Sequence, residues 1–297
     1  MKPFSIRVAD NVVELWSGYR IQFDGMMRHA WQYDAKTALR VALASLDMTP
    51  DSAFCGYYDT TDRALVDTEN SLFTNLLGEM PKRVRLLRFE RGSGRVPEPP
   101  DPIDLIGGHL HYYRYEVDGR WTTWAADRTL ATWKRLPRRV PADGSARPAW
   151  FALREANAKG LIGPAVGRPH PNSQFGLRAT IHATKWGPRN AIANSESVVD
   201  GIIASFHNDR YSEKVFSALA PKFPQVGSEE LRAALDSPIG PLFDSPAICT
   251  KDRFVQISPA DELCRIGELM ICDDSTGRWP ELSGEIFTIR PVDVRGE

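Results

Sequence analysis

Asp67 and Glu69 stand two residues apart in the run Val66-Asp67-Thr68-Glu69-Asn70, where a strand-like segment gives way to a helical one. Acids at a helix start are stabilised by free backbone N–H groups and by the helix dipole. A strand over residues 83–90 follows that helix and can bring Glu90 alongside. Three carboxylates from a loop, a helix start and a neighbouring strand have the donor chemistry for Mg²⁺, which takes oxygen ligands and keeps several waters. Beside a nucleic acid, such an ion would orient and activate water for phosphodiester attack. Read on its position alone, Asp67 is also an ordinary helix cap.

A second constellation is His109-Leu110-His111 with Glu116 five residues on. On a strand, positions i and i+2 share a face. Two imidazoles and a carboxylate could ligate Fe, Zn or Mn, with His170, His182 and His207 as possible completions. A structural histidine pair is the competing reading. The arrangement HxH-x4-E resembles the first motif of the cupins, with the glycines of that pattern misplaced.

Charge is unevenly spread. The net charge is −1, yet residues 82–189 hold 20 Lys and Arg against 9 Asp and Glu. A basic middle between acidic ends fits an anionic partner met by one face. Arg83, Arg85, Arg88, Lys134, Arg135, Arg138 and Arg139 are the candidate phosphate contacts, with 134–139 expected to be exposed. Tyr112, Tyr113, Tyr115, Trp121, Trp124, Trp133 and Trp150 crowd the same region. Aromatics among arginines can stack bases, but alternating aromatics more often form one face of a core.

The elements that would position these residues follow from periodicity. Residues 4–24 alternate as two strands about Asp10-Asn11, and 33–46 have helical spacing. Residues 52–59 form a strand, 67–77 a helix and 83–90 a strand. The Pro- and Gly-rich stretch 92–108 is the best linker. Beyond it, 109–117 and 121–124 predict a hairpin about Asp118-Gly119. A helix over 148–159, a strand over 175–183 and a helix over 194–206, capped by Asn194 or Ser195, come next. Residues 211–248 are helical with breaks. A final strand is expected over 253–257, a short helix over 261–271 and a closing strand over 285–290. Both halves therefore run strand, strand, helix, strand, helix. The fold class expected is α+β, with two tandem β-β-α-β-α-β modules at 1–97 and 98–297. The second carries a mainly helical insertion at about 211–248.

The strand–acid–helix unit occurs twice, as Val66-Asp67-Thr68-Glu69-Asn70 and as Ala193-Asn194-Ser195-Glu196-Ser197. Asp67-Thr68-Glu69-Asn70 resembles the D-x-D-N motif of RusA-type Holliday-junction resolvases. The resemblance implies a Mg²⁺-dependent fold that acts on branched DNA as a homodimer, with Asp67 and Glu69 as the paired acids, Asn70 as the Asn and Glu90 as the further acid. The family's lysine one turn on is here Phe73, and in the second copy that position is Asp200. Asn194 and Ser197 replace the first acid and the Asn of the second copy, which keeps Glu196.

No apolar run is long enough to span a bilayer. The start lacks the apolar core of a secretory signal. Cys55, Cys249, Cys264 and Cys272 form no CxxC and read as thiols of a reducing compartment. The cytoplasm is the expected location. The leading expectation is a nucleic-acid-directed protein, a Mg²⁺-dependent endonuclease acting on branched or structured DNA. The alternatives are a non-catalytic nucleic-acid- or protein-binding scaffold that keeps a nuclease-like fold, and a metal enzyme using His109, His111 and Glu116.

Overall fold

The computed structural model describes residues 2–140, 145–163, 173–184, 190–209, 212–237, 239, 243, 245–251, 254–275 and 277–292. β1 (Phe4–Ala9) and β2 (Val12–Ser17) pair antiparallel about Asp10. Asp10 takes φ 48° at the turn, a left-handed conformation that Asp reaches more readily than most residues. α1 (Trp31–Leu43) buries Ala35, Leu39 and Leu43 in one core with Val13 and Leu15 of β2. β3 (Ala53–Thr60), α2 (Thr68–Leu72), a 3-10 stretch at Thr74–Glu79 and β4 (Leu86–Arg91) complete the first run.

β5 (His111–Val117), β6 (Trp124–Pro137), α3 (Arg147–Ala158), β7 (Phe175–His182) and α4 (Ile192–Ser205) follow. Then come α5 (Glu213–Leu219), α6 (Ser228–Leu235), β8 (Ile248–Lys251) and β9 (Phe254–Ile257). β10 (Cys264–Cys272) and β11 (Glu281–Pro291) close the chain. The architecture is α+β, with six α-helices among the described residues and one large mixed sheet.

The sheet has nine strands in the order β1-β2-β5-β3-β4-β10-β7-β11-β6. Its middle is the antiparallel pair β4–β10. Outward from that pair each side repeats one rule. A parallel neighbour comes first (β3 on β4, β7 on β10), then an antiparallel one (β5 on β3, β11 on β7), then another antiparallel one (β2 on β5, β6 on β11).

Alternate residues of these strands build the helix-covered face. Phe54, Leu87, Phe89, Tyr115, Leu177, Ile181 and Ile286 share a core with Leu72 of α2, Leu153 of α3 and Ile202 of α4. A second cluster joins Trp150 and Phe151 of α3 to Phe216, Leu219, Leu231 and Leu235 of α5 and α6. Expectation and structure agree that most of the crowded aromatics are core: Tyr112, Tyr113, Tyr115, Trp133 and Trp150 are all buried.

The other face carries a row of ion pairs. Arg88, Glu268, Arg178 and Glu285 occupy successive partner positions on β4, β10, β7 and β11. Arg88 and Arg178 each meet a carboxylate at 2.7 Å, and Arg178 also lies over the Trp121 and Phe287 rings.

Several sequence expectations change. The stretch 92–108 is no spacer between units: Val96 and Ile103 pack on Trp16 and Tyr112, and Trp16 Nε1 donates to Pro97 O at 2.9 Å. The sheet also runs across the expected 97–98 boundary, because β5 inserts between β2 and β3. β5 does not form a hairpin with the next strand, which lies at the far edge of the sheet. Residues 261–271 are a short 3-10 turn followed by the central strand β10, and β9 pairs with β8 in a separate small sheet. Glu, Leu and Met favour helix in isolation, but two strand neighbours impose extension on β10. Finally, α4 starts at Ile192 with Asn190 accepting from its N–H, so Asn194 and Ser195 lie inside the helix.

The segment from β5 to β6 crosses the ion-paired face and is tied down by Glu90. Its carboxylate accepts from the backbone N–H groups of Thr122, Thr123 and Trp124 at 2.8, 2.6 and 3.0 Å. Removing it strands three donors in a half-buried place, where each unmet donor costs on the order of 1–3 kcal/mol. Glu90→Ala is therefore expected to lower unfolding free energy in a denaturant titration by about 2 kcal/mol or more. A loss below about 0.5 kcal/mol would mean that the crossing does not depend on this residue.

Candidate functional site: a shared carboxylate centre

α2 and α4 are the two helices that follow the inner parallel strands β3 and β7. The sheet brings their starts together on the helix-covered face. Asp67 is the N-cap of α2: its Oδ1 accepts from Asn70 N at 3.1 Å and its Oδ2 from Asn70 Nδ2 at 2.5 Å. Glu69, in the first turn, is 2 % exposed. Its Oε1 bonds to Ser195 Oγ of α4, and its Oε2 accepts from Thr74 Oγ1 at 3.3 Å. The same Thr74 hydroxyl reaches Glu196 Oε2 at 3.4 Å. Glu196 and Asp200, one turn apart on α4, face one side of that helix. Asp261, in the 3-10 turn before β10, bonds to Asp67 and to Asp200.

Five carboxylates so placed cannot all be charged. Burial pushes the Asp200 carboxyl up to about 8, helped by the charges of Asp67 and Glu196. Burial, then the charges of Asp67 and Asp200, push Asp261 up to about 9. Glu69 is raised well above the usual range by burial and by the charge of Asp67. Burial raises Asp67 as well, against the hydrogen bonds from Asn70. Asp261 is then the proton donor between Asp67 and Asp200. A similar argument applies to Ser195, whose hydroxyl lies near both Glu69 Oε1 and, at 2.8 Å, Ile192 O. One hydroxyl proton serves one acceptor, so a protonated Glu69 satisfies both contacts by donating to Ser195 Oγ.

The centre borders a cleft of about 360 Å³ lined by Glu196, Asp200, Arg147, Lys222 and Gln256. Acids and two basic residues thus share one opening. Among the described residues, no three carboxylate, imidazole or thiol groups are arranged to hold a metal ion.

Of the expected acids, Asp67 and Glu69 come together and Glu90 does not join them. Phe89 and Arg91 point to the α2 face, where Arg91 Nη1 donates to Val66 O at 2.8 Å. By the two-residue alternation of a strand, Glu90 points to the opposite face, where it anchors residues 122–124. The same alternation separates the alternative metal set, because five residues is an odd interval. His111 faces Tyr58, with Nδ1 2.9 Å from the Tyr58 hydroxyl, and burial lowers its pKa to about 4. Glu116 lies opposite Cys55 on the other face, paired with Arg114. His109 is exposed and precedes the strand. His182 bonds to Asp274 and Ser283, His207 to Ser245 and Ala260. His170 lies outside the described residues.

Most of the expected phosphate contacts are ion-paired within the fold. Arg85 meets Asp273 at 2.6 Å, Arg88 meets Glu268, Arg135 meets Asp274 and Glu281, and Arg139 meets Glu155 and Glu230. Arg138 is 4 % exposed, against the expectation of an open 134–139 surface. Arg83 and Lys134 remain exposed and, among the described residues, in no ion pair. Phe73, where the sequence resemblance calls for a lysine, is fully buried against Phe54 and Tyr115. Its ring would lie 2.7 Å from a Cβ at Gly56, so this position supplies packing to the sheet.

Glu196, Asp200 and Asp261 are the members that the sequence did not assign to the site, and Asp261 is the one with no signal there. Asp261 lies 61 residues beyond Asp200, and its local sequence predicts the start of a helix. The signal for Glu196 and Asp200 was present in the repeated strand–acid–helix unit. No protein-family model matches the chain, and neither a curated protein nor a solved structure is significantly similar to it. No described helix is long and apolar enough to cross a membrane.

The raised carboxyls set a pH dependence with a definite sign. Their folded pKa values exceed the unfolded value of 3.8. The native chain therefore holds protons that the unfolded chain releases, and stability falls as pH rises. The contribution is complete below about 4 and is lost as pH passes through about 8 for Asp200 and about 9 for Asp261. Thermal unfolding should show Tm declining between pH 5 and pH 9, with a shallower decline in Asp200→Asn. At pH 8 that variant should melt at least about 2 °C above the parent. An unchanged slope would show that Asp200 is ionised in the native chain.

Proposed function

We propose that the chain is a nucleic-acid-directed protein of resolvase-like architecture, folded as a one-chain pair of related units. One observation carries the reading: the acids at the start of α2, Asp67 with Glu69, meet the acids on the body of α4, Glu196 with Asp200, across the β4–β10 pair. The outward rule of strand pairing supports the pairing of units. On that rule the first unit is β2-α1-β3-α2-β4-β5 and the second is β6-α3-β7-α4-β10-β11. The segment with α5, α6, β8 and β9 is then an insertion before β10. The boundary would fall between β5 and β6 rather than at 97–98.

The resemblance to RusA-type resolvases implies Mg²⁺. An all-carboxylate donor set suits a hard cation, but the groups do not stand as a three-ligand centre. The proposal is accordingly one of DNA recognition: Arg147 and Lys222 in the cleft, with Arg83 and Lys134 outside it, would meet phosphates. The buried Phe73 in place of the lysine favours binding without cutting. A second, catalytic reading draws on the carboxyls themselves. Asp200 and Asp261, held protonated near neutral pH, have the pKa values of general acids.

The test uses labelled duplex, single-stranded and four-way-junction DNA. Junction binding is expected, weakening at least about tenfold between 50 and 200 mM salt as phosphate contacts are screened. Lys222→Gln should weaken it further. Absence of binding to all three at 50 mM salt would refute the proposal. Products that appear with Mg²⁺ and vanish in Asp200→Asn and in Asp261→Asn would establish the catalytic reading. Binding without products would leave recognition as the function.

A further inference from the structure

A second cleft, of about 550 Å³, opens where β3 and β4 end and β10 begins. Arg63, Arg91 and Arg265 line it, with the turn Gly92-Ser93-Gly94 and Trp124. Arg91 is 5 % exposed, and its Nη1 and Nη2 each donate to a backbone carbonyl, Val66 O and Ala64 O, at 2.8 Å. These bonds fix the guanidinium without neutralising it. Arg265 sits at the bulge where β10 leaves register with β7. Its Nε is buried with no hydrogen-bond partner, and the side chain is in no ion pair among the described residues. Burial, then the nearby Arg91 charge, lowers its pKa to about 10. The Asp59 charge acts on both guanidiniums, and a further anion between them would offset more of the cost of burying them side by side.

The two acids of the cleft are already engaged. Asp59 is 1 % exposed; it accepts from Gly94 N at 2.8 Å, Thr60 N at 2.9 Å and the Tyr57 hydroxyl at 3.3 Å. Asp62 Oδ1 accepts from Ala64 N at 2.9 Å. The Asp59 bond holds the glycine turn in place. A Cβ at Gly92 would come within 2.3 Å of the Asp59 carboxylate, and Gly94 takes φ 88°. Trp124 is anchored by its Nε1, which donates to Arg91 O at 2.6 Å.

We propose that this cleft binds a phosphate monoester through Arg63, Arg91 and Arg265, with the ester presented by a nucleotide or by the phosphorylated 5′ end of a DNA strand. Three cations around one opening match a dianion better than the single charge of a backbone diester. Trp124, half-buried in the wall, is placed to meet the attached base. The inference does not depend on whether the carboxylate centre recognises or cuts DNA.

Calorimetric titration of the full chain tests it, with inorganic phosphate, AMP, adenosine and a short oligonucleotide carrying either a 5′-phosphate or a 5′-hydroxyl. AMP or the 5′-phosphorylated strand should bind, and adenosine and the 5′-hydroxyl strand should bind at least about tenfold more weakly. Tighter binding of AMP identifies the free nucleotide as the source, and tighter binding of the phosphorylated strand identifies the strand end. Arg265→Gln should reduce the affinity about tenfold or more while leaving Tm equal or higher, because it removes a half-buried charge whose Nε has no hydrogen-bond partner. Arg63→Gln, at an exposed position, gives the same readout without touching the core. Equal binding by Arg265→Gln and Arg63→Gln, no dependence on the phosphate, or no binding of any probe would each overturn the proposal.

Discussion

The pairing of β4 with β10 is the constraint on which the rest depends. Five residues of each strand face one another, from Ile266 opposite Glu90 to Met270 opposite Leu86. They join segments about 180 residues apart in the chain, so ordering them costs substantial loop-closure entropy. What returns that cost is burial on the helix-covered face, where Leu87, Phe89 and Leu269 are each 2 % exposed or less. Close approach is part of the fit, since a Cβ at Gly267 would lie 2.2 Å from the Phe89 ring. Once this register forms, the N-terminal end of β10 brings Asp261 and Arg265 each to its neighbours. Asp261 meets Asp67 and Asp200, while Arg265 joins Arg91.

The same pairing explains the uneven charge of the chain. Basic β4 and β7 lie on either side of β10, which contributes Glu268, and acidic β11 follows β7. Arg88, Arg178, Arg85 and Arg135 take their partners from residues 268–285. Much of the basic middle is therefore neutralised by the acidic C-terminal strands. These half-exposed pairs add little stability individually; they set register on a face that few apolar residues cover. Other positive charge lines the two clefts, with Arg147 and Lys222 at one and Arg63, Arg91 and Arg265 at the other.

The sequence was most legible where one period dominated. The strands at 4–17, 53–60, 86–91 and 175–182 and the helices α1, α3 and α4 follow directly from spacing. Asp67 and Glu69 were legible as a pair because a helix start gives acids a local reason to be there. Glu90 was assigned to the wrong face because reading the strand did not settle which alternation faced α2. β10 was hidden by residues with helical preference, and its partners lie far away in the chain. Asp261 and Arg265 vanished with it. The histidine alternative failed on parity, which the spacing of His111 and Glu116 already contained.

The central claim is that carboxyls from both halves of the chain share protons at one centre. The direct measurement is a ¹³C NMR titration of the aspartate carboxyl carbons, with Asp200→Asn and Asp261→Asn for assignment. At least one aspartate should remain protonated at pH 7 and titrate near 8 to 9, and its midpoint should fall when either partner is replaced. If every aspartate titrates below pH 5, the acids are ionised separately and the shared centre does not exist.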